Sequence, residues 1–198
     1  MARQKTAIDE AAIERLFVQF FRDMRITDGN PEVDLSRTPG RIARMYVREL
    51  LSGYDDAAVA DLRARFTVFN KARRHELVLI QGVPFYSLCA HHMMPFFGTA
   101  SLGYLPKDHV IGLSKFPRVL KLFARRLQTQ ENLTGMVADF VFEEAKPEAL
   151  IVHLRATHLC CAARGVETPG VEMVTSALRS ADDFPASLKA EFYSLLGS

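Results

Sequence analysis

The sequence predicts an α+β fold: N-terminal helices, then a β-β-α-α-β-β unit whose antiparallel sheet carries its helices on one face. Two observations predict it. Apolar residues recur at helical spacing in the early segments 7–24 and 38–53. From residue 76 onward, two pairs of strand-like stretches bracket two helical ones. The expected division is an N-terminal helical region over 1–70 and a second domain over 71–198.

Each element has its own signal. Residues 7–24 align Ile8, Ala12, Leu16, Phe17, Phe20 and Phe21 in a wide apolar stripe. Residues 26–36 are polar, contain Gly29 and Pro31, and read as a loop. Thr38-Pro39 marks a helix start, with Thr as the cap and Pro at the first helical position. That helix runs through Ile42, Met45, Tyr46 and Leu50, and Gly53 ends it. Residues 76–88 read as a strand disrupted at Gly82-Val83-Pro84. Residues 97–105 read as its antiparallel partner, ended by Pro106-Lys107-Asp108. Residues 116–128 and 132–145 carry helical stripes, 149–161 and 171–180 read as strands, and 185–196 as a closing helix.

Composition narrows the function classes. The chain has 198 residues, 48% of them hydrophobic and 24% charged, as in an ordinary soluble domain. A formal net charge of +2 argues against a nucleic-acid binder. No apolar run approaches the roughly 20 residues that span a bilayer, and the first ten lack a signal-peptide core. A cytoplasmic protein is expected. The three cysteines, Cys89, Cys160 and Cys161, are odd in number with two adjacent, which suits a metal site or buried thiols better than disulfides.

Four clusters carry chemistry. Cys89-Ala90-His91-His92 offers a thiolate and an imidazole three positions apart just after a strand, a spacing that suits zinc but is weak evidence alone. His158-Leu159-Cys160-Cys161 closes an otherwise apolar strand, and alternation puts His158 and Cys160 on one face and Cys161 on the other. One thiolate from this pair, with Cys89 and His92, makes three ligands and leaves an open fourth position, the pattern of catalytic zinc. His91 and His158 are then left as acid–base groups. Ser114-Lys115-Phe116-Pro117-Arg118 reads as a capped helix start with two cations in its first turn. Cations oppose the helix dipole there, so the arrangement makes sense if a polyanion binds; a solvated basic helix start is the plainer reading. In Gln128-Thr129-Gln130-Glu131, Glu131 is either an acidic cap or a carboxylate for two N–H groups of a guanine edge. His75, His109 and His153 have no partner motif and read as surface or strand histidines.

In order along the chain, these clusters resemble the GTP cyclohydrolase I family. The matching stretches are Thr38-Pro39-Gly40-Arg41, Cys89-Ala90-His91-His92, Gly112 to Arg118, Gln128 to Thr134 and His158 to Gly165. The resemblance covers roughly Thr38 to Ser180, most of the chain. The resemblance implies a tunnelling fold, in which subunits join their sheets into a barrel. It implies zinc on Cys89, His92 and Cys160, because Cys160 lies two after His158 and four before Arg164. It implies His158 and His91 as proton-transfer groups, Glu131 and the Gln130 region on the guanine edge, and Arg41, Ser114, Lys115, Arg118 and Arg164 on the triphosphate. The implied reaction opens the guanine imidazole ring of GTP, giving formate and 7,8-dihydroneopterin triphosphate for folate or another pterin pathway. The implied assembly is a homodecamer with sites between subunits.

The chain departs from the family pattern at Ala90, where a glutamate is usual, and at Pro117, Leu127 and Asn132. Two other readings accompany the enzyme. One is a tunnelling-fold paralogue with an altered reaction on a purine or pterin triphosphate, favoured by Ala90. The other is a non-catalytic, zinc-stabilised oligomer that binds nucleotide, disfavoured by the two histidines left over from the metal.

Overall fold

A computed structural model describes residues 8–26, 35–70 and 76–197. The expected loop at 26–36 falls largely outside them, as does His75. Two compact units emerge, Met1–Ser52 and Gly53–Ser198. The division precedes the expected boundary at 70, because the stretch after Gly53 is built into the larger unit.

In the N-terminal unit, α1 spans Glu10–Asp23, capped by Asp9, whose carboxylate accepts from the Ala12 N–H. Helix α2 spans Thr38–Met45 and passes into a π-helical turn at Tyr46–Leu50. Thr38 is not the cap: the N-cap is Arg37, with no side-chain bond, and Thr38 and Pro39 occupy the first turn. The Arg48 guanidinium donates to Glu10 at 2.7 Å, and Phe17 stacks on Tyr46, so α1 lies against the second helical stretch.

A 3-10 turn at Ser52–Tyr54 leads into the larger unit. A Cβ on Gly53 would lie 2.1 Å from the Leu122 carbonyl oxygen, so only glycine fits this approach. Helix α3 (Asp56–Ala64) follows, in a stretch where the sequence reading assigned no element. Strand β1 (Val68–Asn70) pairs antiparallel with β4 (His109–Ile111).

The main sheet has five strands in the order β5-β2-β3-β6-β7. They are β2 (Val78–Cys89), β3 (Pro95–Leu105), β5 (Leu127–Gln128), β6 (Ala149–His158) and β7 (Glu172–Ser180). All pairs are antiparallel except β5 with β2. The disruption expected at Gly82-Val83-Pro84 is a register shift between Ile80 and Val83, with Gly82 at φ 72°. Helix α4 spans Lys115–Ala124, shorter than expected, because the chain turns at Leu127 to add β5 beside the end of β2. Helix α5 spans Gln130–Ala145, with the Thr129 hydroxyl accepting from the Asn132 N–H as its cap.

Helices α4 and α5 cover one face of the sheet. Phe116, Val119, Leu120, Phe123, Leu133, Val137 and Val141 pack there against Phe96, Ala100, Leu102 and Tyr104 of β3 and Leu150, Val152, Leu154 and Ala156 of β6. Burying each large side chain contributes roughly 1.5–3 kcal/mol, which makes this layer the rigid base of the site. The closing helix α7 (Ala186–Leu195) lies over the other face, where Phe192 occupies the space a Cβ on Gly103 would need and meets His153 edge-on.

Strand β6 ends at His158, short of the expected 161. Its last pair is His158 with Phe96, one residue from the start of β3, and β7 pairs only as far as Thr157. With no neighbour left to bond, the chain coils into the single helical turn α6 (Leu159–Ala162).

Candidate active site

The metal candidates sit where two chain reversals meet. Beyond β2, residues 89–94 form a tight turn. Cys89 donates its N–H to Met94 O, Met93 donates back to Cys89 O, and Met93 takes a left-handed φ of 55°. The Ala90 N–H donates to Gln128 O at 2.9 Å, fixing the turn to β5. This holds the Cys89 thiol inward, 6% exposed, and leaves His91 and His92 exposed. Their Nδ1 atoms lie 3.8 and 4.0 Å from Cys89 Sγ, so both imidazoles reach the same sulfur.

Turn α6 brings Cys160 to the same place. The ligand atoms of Cys89, His92 and Cys160 all lie within 4.8 Å of one another. A tetrahedral ion with bonds of about 2.0–2.3 Å sets its ligand atoms roughly 3.3–3.8 Å apart, so a small contraction suffices. Burial and the adjacent Cys89 and Cys161 sulfurs push the Cys160 thiol up to about 11. A thiol held this way lacks only a nearby positive charge to become a thiolate, and a divalent cation provides it. The donor set therefore fits zinc. Cys161 is exposed, with its Sγ 4.0 Å from that of Cys160. The two cysteines differ through a helical turn rather than through the strand alternation expected from sequence.

His158 stands beside this group, half-buried at the end of β6. Its ring stacks on Phe96 with centroids 4.6 Å apart and planes 4° from parallel. Its Nε2 is 2.9 Å from Gln130 Oε1. Burial lowers its pKa, and the negative charge of Glu131 partly opposes that. Glu131 is exposed in the first turn of α5. Capping falls to Thr129, which leaves the Glu131 carboxylate free of that task.

Gln130, expected in the region that holds a base edge, lies at the start of α5 beside His158. Its side chain is fully buried and its amide is committed to protein partners at both ends. Neither this bond to His158 nor the Phe96 stack was visible in the sequence, which placed Gln130 only between two helical stretches.

The polyanion candidates are distributed. Ser114 occupies the N-cap of α4 but makes no side-chain cap bond, and the Lys115 N–H of the first turn donates to Gly112 O at 2.8 Å. Lys115 Nζ donates to the Arg65 carbonyl at 2.6 Å, which orients the ammonium and leaves two of its three donors. Arg118, one turn along, and Arg164, after α6, are exposed. Arg41 is exposed on α2 of the N-terminal unit. His109 and His153 lie on strands, and His153 bonds Ser176 at 3.0 Å.

Comparison with known proteins identifies the family. Residues 19–197 match the family model described as GTP cyclohydrolase I. A protein named GTP cyclohydrolase 1 from Wolinella succinogenes is 39% identical over 192 residues, covering 97% of each chain. Proteins of the same name from Clostridioides difficile and Halalkalibacterium halodurans are each 42% identical over 163 residues, covering 82% of this chain and 84% of theirs. With the family model matched over nearly its whole length and such relatives aligned across it, this chain belongs to the GTP cyclohydrolase I family.

Proposed function

We propose that this chain converts GTP and water to formate and 7,8-dihydroneopterin triphosphate by hydrolytic opening of the guanine imidazole ring. The observation that carries the reading is the convergence of Cys89, His92 and Cys160 beside His158, in a chain of this family. Cys89, His92 and Cys160 would hold zinc, which when bound supplies Lewis acidity and activates water near neutral pH. His158 holds a proton for a ring nitrogen of the purine. His91, exposed at the rim, moves protons during the later rearrangement. Glu131 accepts from two N–H groups of the guanine edge, and Ser114, Lys115, Arg118, Arg41 and Arg164 bind the triphosphate.

The three free cysteines fit a reducing compartment, in keeping with a cytoplasmic enzyme. No helix among the described residues is long and apolar enough to cross a membrane. Self-association is supported by the sheet itself: β7 ends it on one side, and β2 meets β5 only at Leu88 and Cys89 on the other. Open edges of this kind suit edge-to-edge joining, as in a homodecamer.

The test is direct. Purified zinc-loaded protein given GTP should release formate and a pterin with oxidised-product fluorescence, in equal amounts. A purine product with its ring opened but no pterin would favour an altered reaction, to which Ala90 points.

A further inference from the structure

We infer that Gln130 is a positioning residue that holds His158 with its hydrogen on Nε2, leaving Nδ1 as the nitrogen that handles the proton in the reaction. The inference rests on the proposed role of His158 and adds the atom through which it acts.

The direction of every bond around Gln130 is forced. Its Nε2 lies 2.9 Å from Met173 O, 3.2 Å from Leu154 O and 3.1 Å from Thr175 Oγ1. Two of these partners are carbonyl oxygens, which only accept. That end of the amide must therefore be the NH2 group. Turning the amide over would set its oxygen against two carbonyl oxygens and lose both bonds in a fully buried place. The hydroxyls agree with this direction. Thr134 Oγ1 donates to Gln130 O at 2.6 Å, so in its 2.7 Å contact with Thr175 it accepts. Thr175 thus spends its hydrogen on Thr134 and offers a lone pair to the Gln130 amide.

The other end of Gln130 is then the carbonyl oxygen, 2.9 Å from His158 Nε2. A carbonyl oxygen has no hydrogen to give, so Nε2 must carry one. The stack on Phe96 holds the ring plane while Gln130 sets its rotation. Among the described residues no hydrogen bond occupies His158 Nδ1. A proton passing between His158 and a substrate does so at that nitrogen. The device links the start of α5 to β6 and β7, through Leu154, Met173 and Thr175, so the sheet and helix that form the base of the site also orient its histidine.

Neutron diffraction from D2O-exchanged crystals of the zinc-loaded protein, without GTP, reads the hydrogens directly. The expected map has a deuteron on His158 Nε2 directed at Gln130 Oε1 and two on Gln130 Nε2. A His158 deuterated on Nδ1 alone, or a reversed Gln130 amide, overturns the inference. Kinetics supply a second readout. Gln130→Met removes the acceptor at similar volume and should lower kcat about 10–100-fold while KM for GTP stays within about 3-fold. Gln130→Glu, buried as the neutral acid, keeps a carbonyl oxygen for Nε2–H and a donor for a carbonyl, and should recover most of that loss. A raised KM at unchanged kcat in Gln130→Met would put Gln130 on the substrate and overturn the inference. The neutron map decides the question even if Gln130→Met fails to fold. A parent protein that releases no formate from GTP defeats the proposed reaction but leaves the tautomer to the map.

Discussion

Cys160 and Cys161 are neighbours with opposite environments, and the difference comes from one helical turn. Cys160 points into the cluster with Cys89 and is 9% exposed, whereas Cys161 faces solvent. Cys161→Ala should therefore retain one zinc per chain, and Cys160→Ala should lose it, as read by elemental analysis after dialysis. The reverse pattern would make Cys161 the ligand. Metal loading should also weaken as pH falls. The Cys160 thiol is raised above its ordinary value, so zinc must displace its proton, and a higher proton concentration competes. Ala90 lies in the same turn, exposed, with its N–H held by Gln128 O. Because the backbone there is already fixed, Ala90→Glu should add a side chain toward solvent, leave the product unchanged and shift turnover by less than the roughly 10–100-fold typical of groups that orient metal ligands. A gain of pterin formation in the variant, from a parent with none, would mark Ala90 as the sign of an altered reaction.

At the scale of elements, the N-terminus of α4 is the most informative. Its N-cap serine makes no cap bond, and two cations stand in its first turn against the dipole. A helix that places charge so unfavourably gains from an anion there. Arg118→Ala should weaken GTP far more than guanosine, by roughly 1.5–3 kcal/mol or about 10–150-fold, as measured by calorimetry. Equal losses for both ligands would move Arg118 away from the triphosphate. Lys115 is the less clean probe, because its ammonium also bonds the Arg65 carbonyl and its removal would disturb the chain before β1. The start of α5 differs from that of α4: Thr129 caps it, and the acidic Glu131 complements the dipole without being needed as a cap.

For the whole molecule, the metal group joins segments far apart in sequence. Cys89 and His92 come from the turn between β2 and β3, and Cys160 from the turn after β6. An ion bound only to the folded arrangement stabilises it by mass action. Removing zinc with a chelator should lower the Tm by about 5–10 °C for a site previously saturated a hundredfold above its Kd, and readdition should restore it. A Tm unmoved by full metal removal would show that the three ligands do not share an ion.

By itself the sequence determined four of the five strands of the main sheet, β2, β3, β6 and β7, the helix pair between them, and the identity of the metal and histidine candidates. These are local matters: period-2 and period-3.6 patterns, and short motifs whose members lie within a few residues of one another. Family membership was legible for the same reason, since Cys89-Ala90-His91-His92 and His158-Leu159-Cys160 keep their spacing whatever surrounds them. Only the tertiary structure decided where β6 stops, because that depends on where β3 and β7 run out of partners, and hence that Cys160 reaches Cys89 from a helical turn. It also decided which groups the Gln130 amide meets. A glutamine's hydrogen-bond partners are set by whatever the fold packs around it, here carbonyls from two strands and a histidine twenty-eight positions away, and no spacing along the chain encodes that meeting.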